Sequence, residues 1–479
     1  NINKIIGKPD EAIKLYNKVI YYKSDYAEAY NNIGNILMKQ GKLESAIIYY
    51  EKAINLKSNY ADAFNNLANT LKDKGDHETS IKNYNKAIKI KGDDPYILNN
   101  LGNVYRNIGN LDSSIDAFNR SIRIMEENPE AYNNLGNTLH EKGQIEAAII
   151  SYKKAIKYNQ TDYSFHLNLS FSQLLMGNYE IGLKSYEWRL KKKNILHLKP
   201  NSSQWNGQKL GNNDKLIVIS EQGIGDTFLF MRYIKILKMK GIEINFCTFN
   251  KLHKLIKASK IDDKPLSPNQ VNIDDIKYWI PLLSLPRILG VTPKNPIISN
   301  SYITVPESLK NKWRKILANE KRPIIGINWQ GNPSLERINY QGRSFPLDLF
   351  SIPIKTNQIR YLSLQKGYGI EQLDNCSFKE HFVNCQNDID LHWDFLENAA
   401  IIANCDLVIT CDTAIAHLAG GLGKKVWLLL KDVPYWTWGL KKTTTFWYPS
   451  MKLFRQRERG NWAEVMERVS KELNLLFTH

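Results

Sequence analysis

The sequence is poor in cysteine and has none at metal-binding or disulfide-framework spacing. Five occur in 479 residues, at 247, 376, 385, 405 and 411, and no CxxC is present. They read as free thiols of a reducing compartment, which excludes a disulfide-stapled secreted protein and a zinc-finger protein. Long hydrophobic runs are also missing. The longest purely apolar stretches, such as Val426 to Leu430, fall far short of a membrane span. No charged-then-apolar segment opens the chain, so no signal peptide is expected and a cytoplasmic location is. Charge imbalance is nearly absent from the first part. Residues 1–190 hold 24 Lys and Arg against 22 Asp and Glu, which leaves +15 of the total +17 in residues 191–479. A basic half suggests an anionic partner. No RNA- or DNA-binding motif accompanies it, so nucleic acid is not expected.

What is present is size and periodicity. A chain of this length, 43% hydrophobic, predicts two or three domains with real cores. Gly7, Gly41, Gly75, Gly109, Gly143 and Gly177 are spaced by one fixed period. Ala12, Ala46, Ser80, Ser114, Ala148 and Gly182 keep the same phase, as do Tyr16, Tyr50, Tyr84, Phe118, Tyr152 and Tyr186. A second small site recurs at Gly34, Ala68, Gly102, Gly136 and Ser170. Each period contains two helical patterns split by a glycine, as in Gln40-Gly41-Lys42. Small residues let the paired helices approach, and the aromatic is expected to fill the gap between repeats. One such unit cannot bury its own face, so the units must stack into a superhelix. The pattern resembles the tetratricopeptide repeat. It predicts an all-α repeat domain over 1–190, with a truncated first repeat. Asn1 already lies inside the first helix of a repeat, which implies sequence upstream of it.

Asparagine forms a further column. Asn32, Asn66, Asn100, Asn134 and Asn168 share one repeat position, and Asn35, Asn69, Asn103 and Asn137 follow three residues later on the same helical face. Asparagine is a poor helix former, so a column of it needs a reason. Lining a concave groove, it would hold the backbone of an extended polypeptide. The competing reading is that these amides bond one another within the solenoid.

The repeat fades after Trp188-Arg189-Leu190, and residues 191–213 read as a linker. Lys215 to Ser220 then forms an apolar run suited to a buried parallel strand. Glu221-Gln-Gly223-Ile-Gly225-Asp226 follows it, opening a helical pattern from Thr227 to about Met239. Further strands are expected at 242–246, 323–329, 360–364, 406–410 and 424–430, with helices at 393–403 and 414–419 ended by Gly420-Gly421. Alternating strands and helices in two blocks predict two doubly wound lobes, 214–305 and 306–479, with the final amphipathic helix packing across both. Glu221-Gln-Gly-Ile-Gly-Asp226-Thr, Asn328-Trp-Gln-Gly-Asn-Pro333, Arg343-Ser344 and Asp412-Thr413-Ala-Ile-Ala-His417 resemble the heptosyltransferase-like glycosyltransferases. The whole chain is similar to bacterial proteins that join tetratricopeptide repeats to such a domain, some of which glycosylate flagellins.

That resemblance implies a GT-B fold, a nucleotide-sugar donor as substrate, no cofactor and no metal. The transferase would be inverting, moving a sugar to a hydroxyl of a polypeptide acceptor such as flagellin or another surface protein. Asp226 is the implied catalytic base, with Glu221 as its nearest substitute. Its competing role is to cap the helix that follows. The departing nucleoside diphosphate needs positive potential, which the helix opening at Thr413 would provide through free N–H groups. Gln330, Gly331, Asn332, Arg343, Asp412, Thr413, Ala414 and His417 form the implied donor site. The Asn32, Asn66, Asn100, Asn134 and Asn168 column forms the acceptor site. Trp436, Trp438, Trp447 and Tyr448 read as core rather than as a stacking surface. Asp388-Ile-Asp390 matches a metal-binding DxD but is discounted as a chance spacing. Two alternatives remain: transfer onto a lipid-linked or surface glycan, and an adaptor whose transferase-like domain is inactive.

Overall fold

The computed structural model describes residues 8–193, 195–196, 198–211, 214–221, 223–273, 276–297, 300–336, 342–354 and 358–477. Gly7, Gln222 and part of the expected linker lie outside the described residues. The chain forms two compact units, Asn1–Leu169 and Ser170–His479.

The first unit is a run of antiparallel helices: α1 (Pro9–Tyr22), α2 (Ala27–Lys39), α3 (Leu43–Leu56), α4 (Ala61–Lys74), α5 (His77–Lys91), α6 (Pro95–Asn107), α7 (Leu111–Ile124), α8 (Pro129–Glu141) and α9 (Ile145–Tyr158). The unit boundary falls inside α10 (Tyr163–Leu175). Gly41, Gly75, Gly109, Gly143 and Gly177 each adopt φ between 75° and 93°. Only glycine enters this left-handed region cheaply, so the column marks where each first helix stops and turns back.

The aromatic column closes each helical hairpin from within. A Cβ placed on Gly34 would lie 2.6 Å from Tyr50, on Gly102 2.7 Å from Phe118, and on Gly136 2.6 Å from Tyr152. The aromatic therefore sits on the glycine of its own hairpin, not only in the gap between repeats. It reaches the next repeat as well, since Tyr50 shares one buried cluster with Leu67 and Leu71. Where the small residue is serine, its hydroxyl is satisfied locally: Ser80 and Ser114 donate to the carbonyls of Ala68 and Gly102 at 2.7 and 2.8 Å.

The second unit contains two parallel sheets. Strands β1 (Ser203–Gln204), β2 (Lys215–Ile219), β3 (Glu243–Cys247) and β4 (Tyr278–Pro281) are ordered β1-β4-β2-β3. Strands β5 (Ile324–Asn328), β6 (Arg360–Ser363), β7 (Leu407–Cys411), β8 (Val426–Leu430) and β9 (Met451–Arg455) are ordered β6-β5-β7-β8-β9. All pairings are parallel, and β5, β7 and β8 are buried at every position, as a sheet covered on both faces requires. Strand β1 lies within the stretch expected to be linker, and Trp205 beside it is 3% exposed. The helical pattern after Asp226 is two helices, Ile224–Phe230 and Arg232–Met239. The final helix, Trp462–Phe477, packs into the core of the second lobe, where Trp462 meets Phe345 at a ring separation of 4.8 Å. It does so in place of the expected packing across both lobes.

The segment read as the last repeat belongs to the second unit. Tyr179 and Tyr186 on α11 (Tyr179–Tyr186) pack on Trp436 at 5.9 and 6.0 Å, and Tyr179 also meets Phe446 and Trp447. The aromatic-rich stretch is thus core, with Trp436, Trp438, Trp447 and Tyr448 at most 2% exposed. It seals α11 against the second lobe.

Candidate functional site

The glycine-rich turn after β2 and the helix after β7 meet directly. A Cβ on Gly225 would lie 3.0 Å from His417 Cδ2 and 3.6 Å from the Ala414 Cα. Glycine is needed here for close approach, and it brings the starts of helices Ile224–Phe230 and Ala414–Gly421 together across the two lobes. Gly420 and Gly421, where their helix ends, also permit close approach: Cβ atoms there would meet Tyr448 at 2.7 Å and Ile303 at 2.6 Å. Gly421 is the last residue of the helix, as expected.

Asp226 stands at this junction. It is half-buried, and its Oδ2 accepts the Gly223 amide at 3.2 Å, so it does cap its helix from the third position. Desolvation raises its pKa to about 7. The Gly223 hydrogen bond opposes the rise, and the nearby Asp412 and Glu221 carboxylates add to it. A carboxylate held near neutrality is matched to general-base work. Glu221 is not a substitute for it. It is 0% exposed and bound bidentately by the equally buried Arg189, with Nε–Oε2 3.2 Å and Nη2–Oε1 2.7 Å. Arg189 also donates to the Tyr186 carbonyl, Glu187 and Ser284. The pair pins the start of the glycine turn to the segment that follows α11.

On the other side, the N-cap of helix Ala414–Gly421 is Thr413, with no side-chain cap. The amides of Ala414 and Ile415 meet no acceptor among the described residues, as a helix N-terminus leaves them. Asp412 is therefore not the cap. Burial raises its carboxyl pKa, while Arg343 and Trp438 pull it down. The Thr413 hydroxyl is already committed, donating to Asn328 Oδ1 at 2.8 Å. His417 is 7% exposed and stacked on Trp438 at 5.1 Å. Burial, then the Arg232 charge, lowers its pKa to about 3, so it is a neutral group and brings no cation to the site.

Three of the expected donor contacts are already engaged by neighbouring residues. Gln330 accepts from Gln372 Nε2 at 2.9 Å. Arg343 packs on Gly331, where a Cβ would lie 2.4 Å from its Nη2, and pairs with Glu336 at 3.1 Å while donating to the Asp412 carbonyl. Asn332 caps the short helix Pro333–Leu335 by accepting from Ser334. Asp390 is held by Lys366 and Gln386.

Two residues were missed. Gln365, 2% exposed, accepts from the Asn328 side chain and the Trp329 and Gln330 amides, and donates to the carbonyls of Gln330 and Tyr368. It thereby shapes the loop after β5. Lys431, directly after β8, lines a shallow recess with Arg343, Asp412, Pro434 and Tyr435. Its position at the carboxyl end of a buried parallel strand was the available signal.

In the first unit the asparagine column is partly committed to the solenoid. Asn66, Asn134 and Asn168 donate to Oδ1 of Asn31, Asn99 and Asn133 at 3.0, 3.1 and 2.9 Å. The second column is held by tyrosine hydroxyls: Tyr50, Tyr84 and Tyr152 donate to Asn35, Asn69 and Asn137. Phe118 has no hydroxyl, and Asn103 there turns to the carbonyl of Asn99 at 3.1 Å. Asn32, Asn66, Asn100, Asn134 and Asn168 are all half-buried, and the ladder uses one amide hydrogen of each member it engages.

The first unit is built of tetratricopeptide repeats, and the second unit holds two parallel-sheet α/β lobes. Residues 4–177 match the TPR repeat family in five overlapping stretches. The chain is similar to protein FlbA of Caulobacter vibrioides, 25% identical over 297 residues that cover 56% of this chain and 48% of the relative. The chain thus spans about half the length of the curated relative it matches. Among solved structures, MamA is 25% identical with a TM-score of 0.32, covering 33% of this chain and 92% of its own. YrrB, described as a TPR protein with an unusual peptide-binding site, is 20% identical with a TM-score of 0.33, covering 37% of this chain and 91% of its own. No helix among the described residues is long and apolar enough to cross a membrane.

Proposed function

We propose that the second unit is a metal-independent, inverting GT-B glycosyltransferase and that the repeats recruit its polypeptide acceptor. The observation that carries this reading is the junction at Gly225. It sets a carboxylate of pKa about 7 against the open amides of a helix N-terminus, at the carboxyl ends of strands from two parallel sheets. Asp226 takes the proton of a Ser or Thr hydroxyl as its oxygen attacks the anomeric carbon of the donor sugar from the face opposite the phosphate. The sugar–phosphate bond breaks, and the nucleoside diphosphate leaves with the electron pair. The Ala414 and Ile415 amides and the Lys431 ammonium meet the charge that develops.

One observation favours the adaptor reading: the Arg343 charge is already paired with Glu336. Turnover separates the two. Purified full-length protein is screened with UDP-, GDP-, ADP- and CMP-sugars in EDTA, following thermal shift and donor consumption with a candidate acceptor. A ligand at 100 times its Kd stabilises by roughly 2.7 kcal/mol. Binding with transfer in EDTA supports the transferase. Transfer that requires Mn²⁺ refutes the metal-free mechanism, client binding without any nucleotide effect supports the adaptor, and transfer only to a glycan moves the acceptor off the polypeptide.

A further inference from the structure

His417 lies at the contact between the two lobes, and which of its nitrogens carries the hydrogen can be worked out from its surroundings. Its Nδ1 is 3.0 Å from the Tyr448 hydroxyl. The Nε2 edge of the ring faces Gly225, where a Cβ would lie 3.7 Å from Nε2, and Nε2 forms no hydrogen bond among the described residues.

The tautomer follows from counting hydrogens. Arg232, fully buried, can only donate. Its Nη2 reaches the Tyr302 hydroxyl at 3.3 Å, and its guanidinium lies 4.7 Å from the centre of the Tyr448 ring. Tyr302 commits its single hydrogen to the Phe228 carbonyl at 2.6 Å, so it has none to give Tyr448. Tyr448 then has one hydrogen and two acceptors: His417 Nδ1 at 3.0 Å, or the Tyr302 oxygen at 3.4 Å. The first is an ordinary hydrogen-bond length and the second is beyond it. The buried guanidinium also draws the phenol lone pairs towards itself and turns the hydrogen away. Both effects aim that hydrogen at Nδ1, and a neutral imidazole that accepts at Nδ1 keeps its own hydrogen on Nε2.

We propose that Tyr448, oriented by Arg232, is a positioning residue that fixes His417 as an Nε2–H donor towards a phosphate or sugar oxygen of the nucleotide-sugar; this rests on the donor-site reading above. The contact works as an uncharged hydrogen bond of fixed direction. Arg232 comes from the first lobe, whereas Tyr448 and His417 come from the second, so correct presentation of the donor contact requires both lobes to be in place.

The test reads the tautomer without needing activity. Long-range ¹H–¹⁵N spectra of the full chain labelled at histidine nitrogen, with His417 identified by loss of its signals in His417→Gln, distinguish a hydrogen on Nε2 from one on Nδ1. The expected result is Nε2–H in the parent, with that preference lost in Tyr448→Phe, which keeps the ring but removes the hydroxyl. UDP, GDP and ADP are the probes. Whichever binds the parent should move the His417 Nε2 signal and bind Tyr448→Phe roughly two- to tenfold more weakly, one hydrogen bond's worth. A parent with its hydrogen on Nδ1 overturns the proposal on the parent spectrum alone, even if the variant does not fold. So does a Tyr448→Phe protein with an unchanged tautomer. If no nucleotide binds the parent, the donor-site reading and the ligand half of the proposal fall, while the tautomer is still read directly.

Discussion

Replacing Asp226 by Asn should make the protein more stable and less active, with a pH signature that identifies the cause. The side chain is raised from the ordinary carboxylate value of 3.8 to about 7, chiefly because it is desolvated at the lobe junction. The folded state therefore holds this proton up to a higher pH than the unfolded chain does. Stability is lost as pH rises through the window between those values, and the loss is complete above about 7. The difference between about 7 and 3.8 corresponds to about 4 kcal/mol at most. Asp226 is only half-buried, so solvent screening brings the expected figure nearer 1–2 kcal/mol. Asn keeps the shape and an oxygen for the Gly223 amide but carries no charge. Melting curves of parent and Asp226→Asn should nearly coincide near pH 4, diverge between about 4 and 7 with the variant higher, and run parallel above. Transfer measured on the same samples should fall by 10²–10⁴-fold. A stability difference independent of pH would show that the carboxylate does not titrate there, and a variant with more than about half the parental rate would leave Asp226 as a cap only.

Three further outcomes are expected. Arg189→Met leaves Glu221 buried and unpaired and should cost about 3–5 kcal/mol by denaturant unfolding, with part of it recovered when Glu221→Gln is added. Parental stability in the single variant would contradict a sealed pair. Gly225→Ala forces a Cβ against His417 and Ala414; overpacking of this kind costs typically 1–3 kcal/mol, and nucleotide affinity should fall with it in calorimetry. Changing Asn66, Asn100 and Asn134 together to Ala should weaken client binding by a few kcal/mol if losses of about 0.5–1.5 kcal/mol each roughly add. Nucleotide binding should be unchanged, and a client that still binds normally would remove the column from the acceptor site.

The repeats were readable because their determinants are local and recur. A glycine at the turn, a small residue on one helix and an aromatic on the next each act within one hairpin, so one period contains its own explanation. The strands β2, β3, β5, β7 and β8 were readable for a similar reason, as short apolar runs. Strands β1, β4 and β9 were not, because Ser203–Gln204, Tyr-Trp-Ile-Pro and Met-Lys-Leu-Phe-Arg lack that pattern and gain their conformation from a neighbouring strand. At the site, motif spacing located the right loops but not where side chains point. Arg343, Gln330 and Thr413 look available in sequence and are engaged by Glu336, Gln372 and Asn328. Those partners lie 7 to 85 residues away, as does Arg189 from Glu221, and no local pattern encodes them.

The aromatic seal around α11 decides where this protein can be cut and rejoined. A truncation at residue 190, which the repeat period invites, would strip Tyr179, Tyr186 and Arg189 from the second unit and expose Trp436 while orphaning Glu221. Whole 34-residue periods upstream of Leu169 can be added, removed or exchanged without taking one residue from that core. A chimera that imports a different repeat array should therefore be joined before Ser170, with the native α11 retained as part of the recipient.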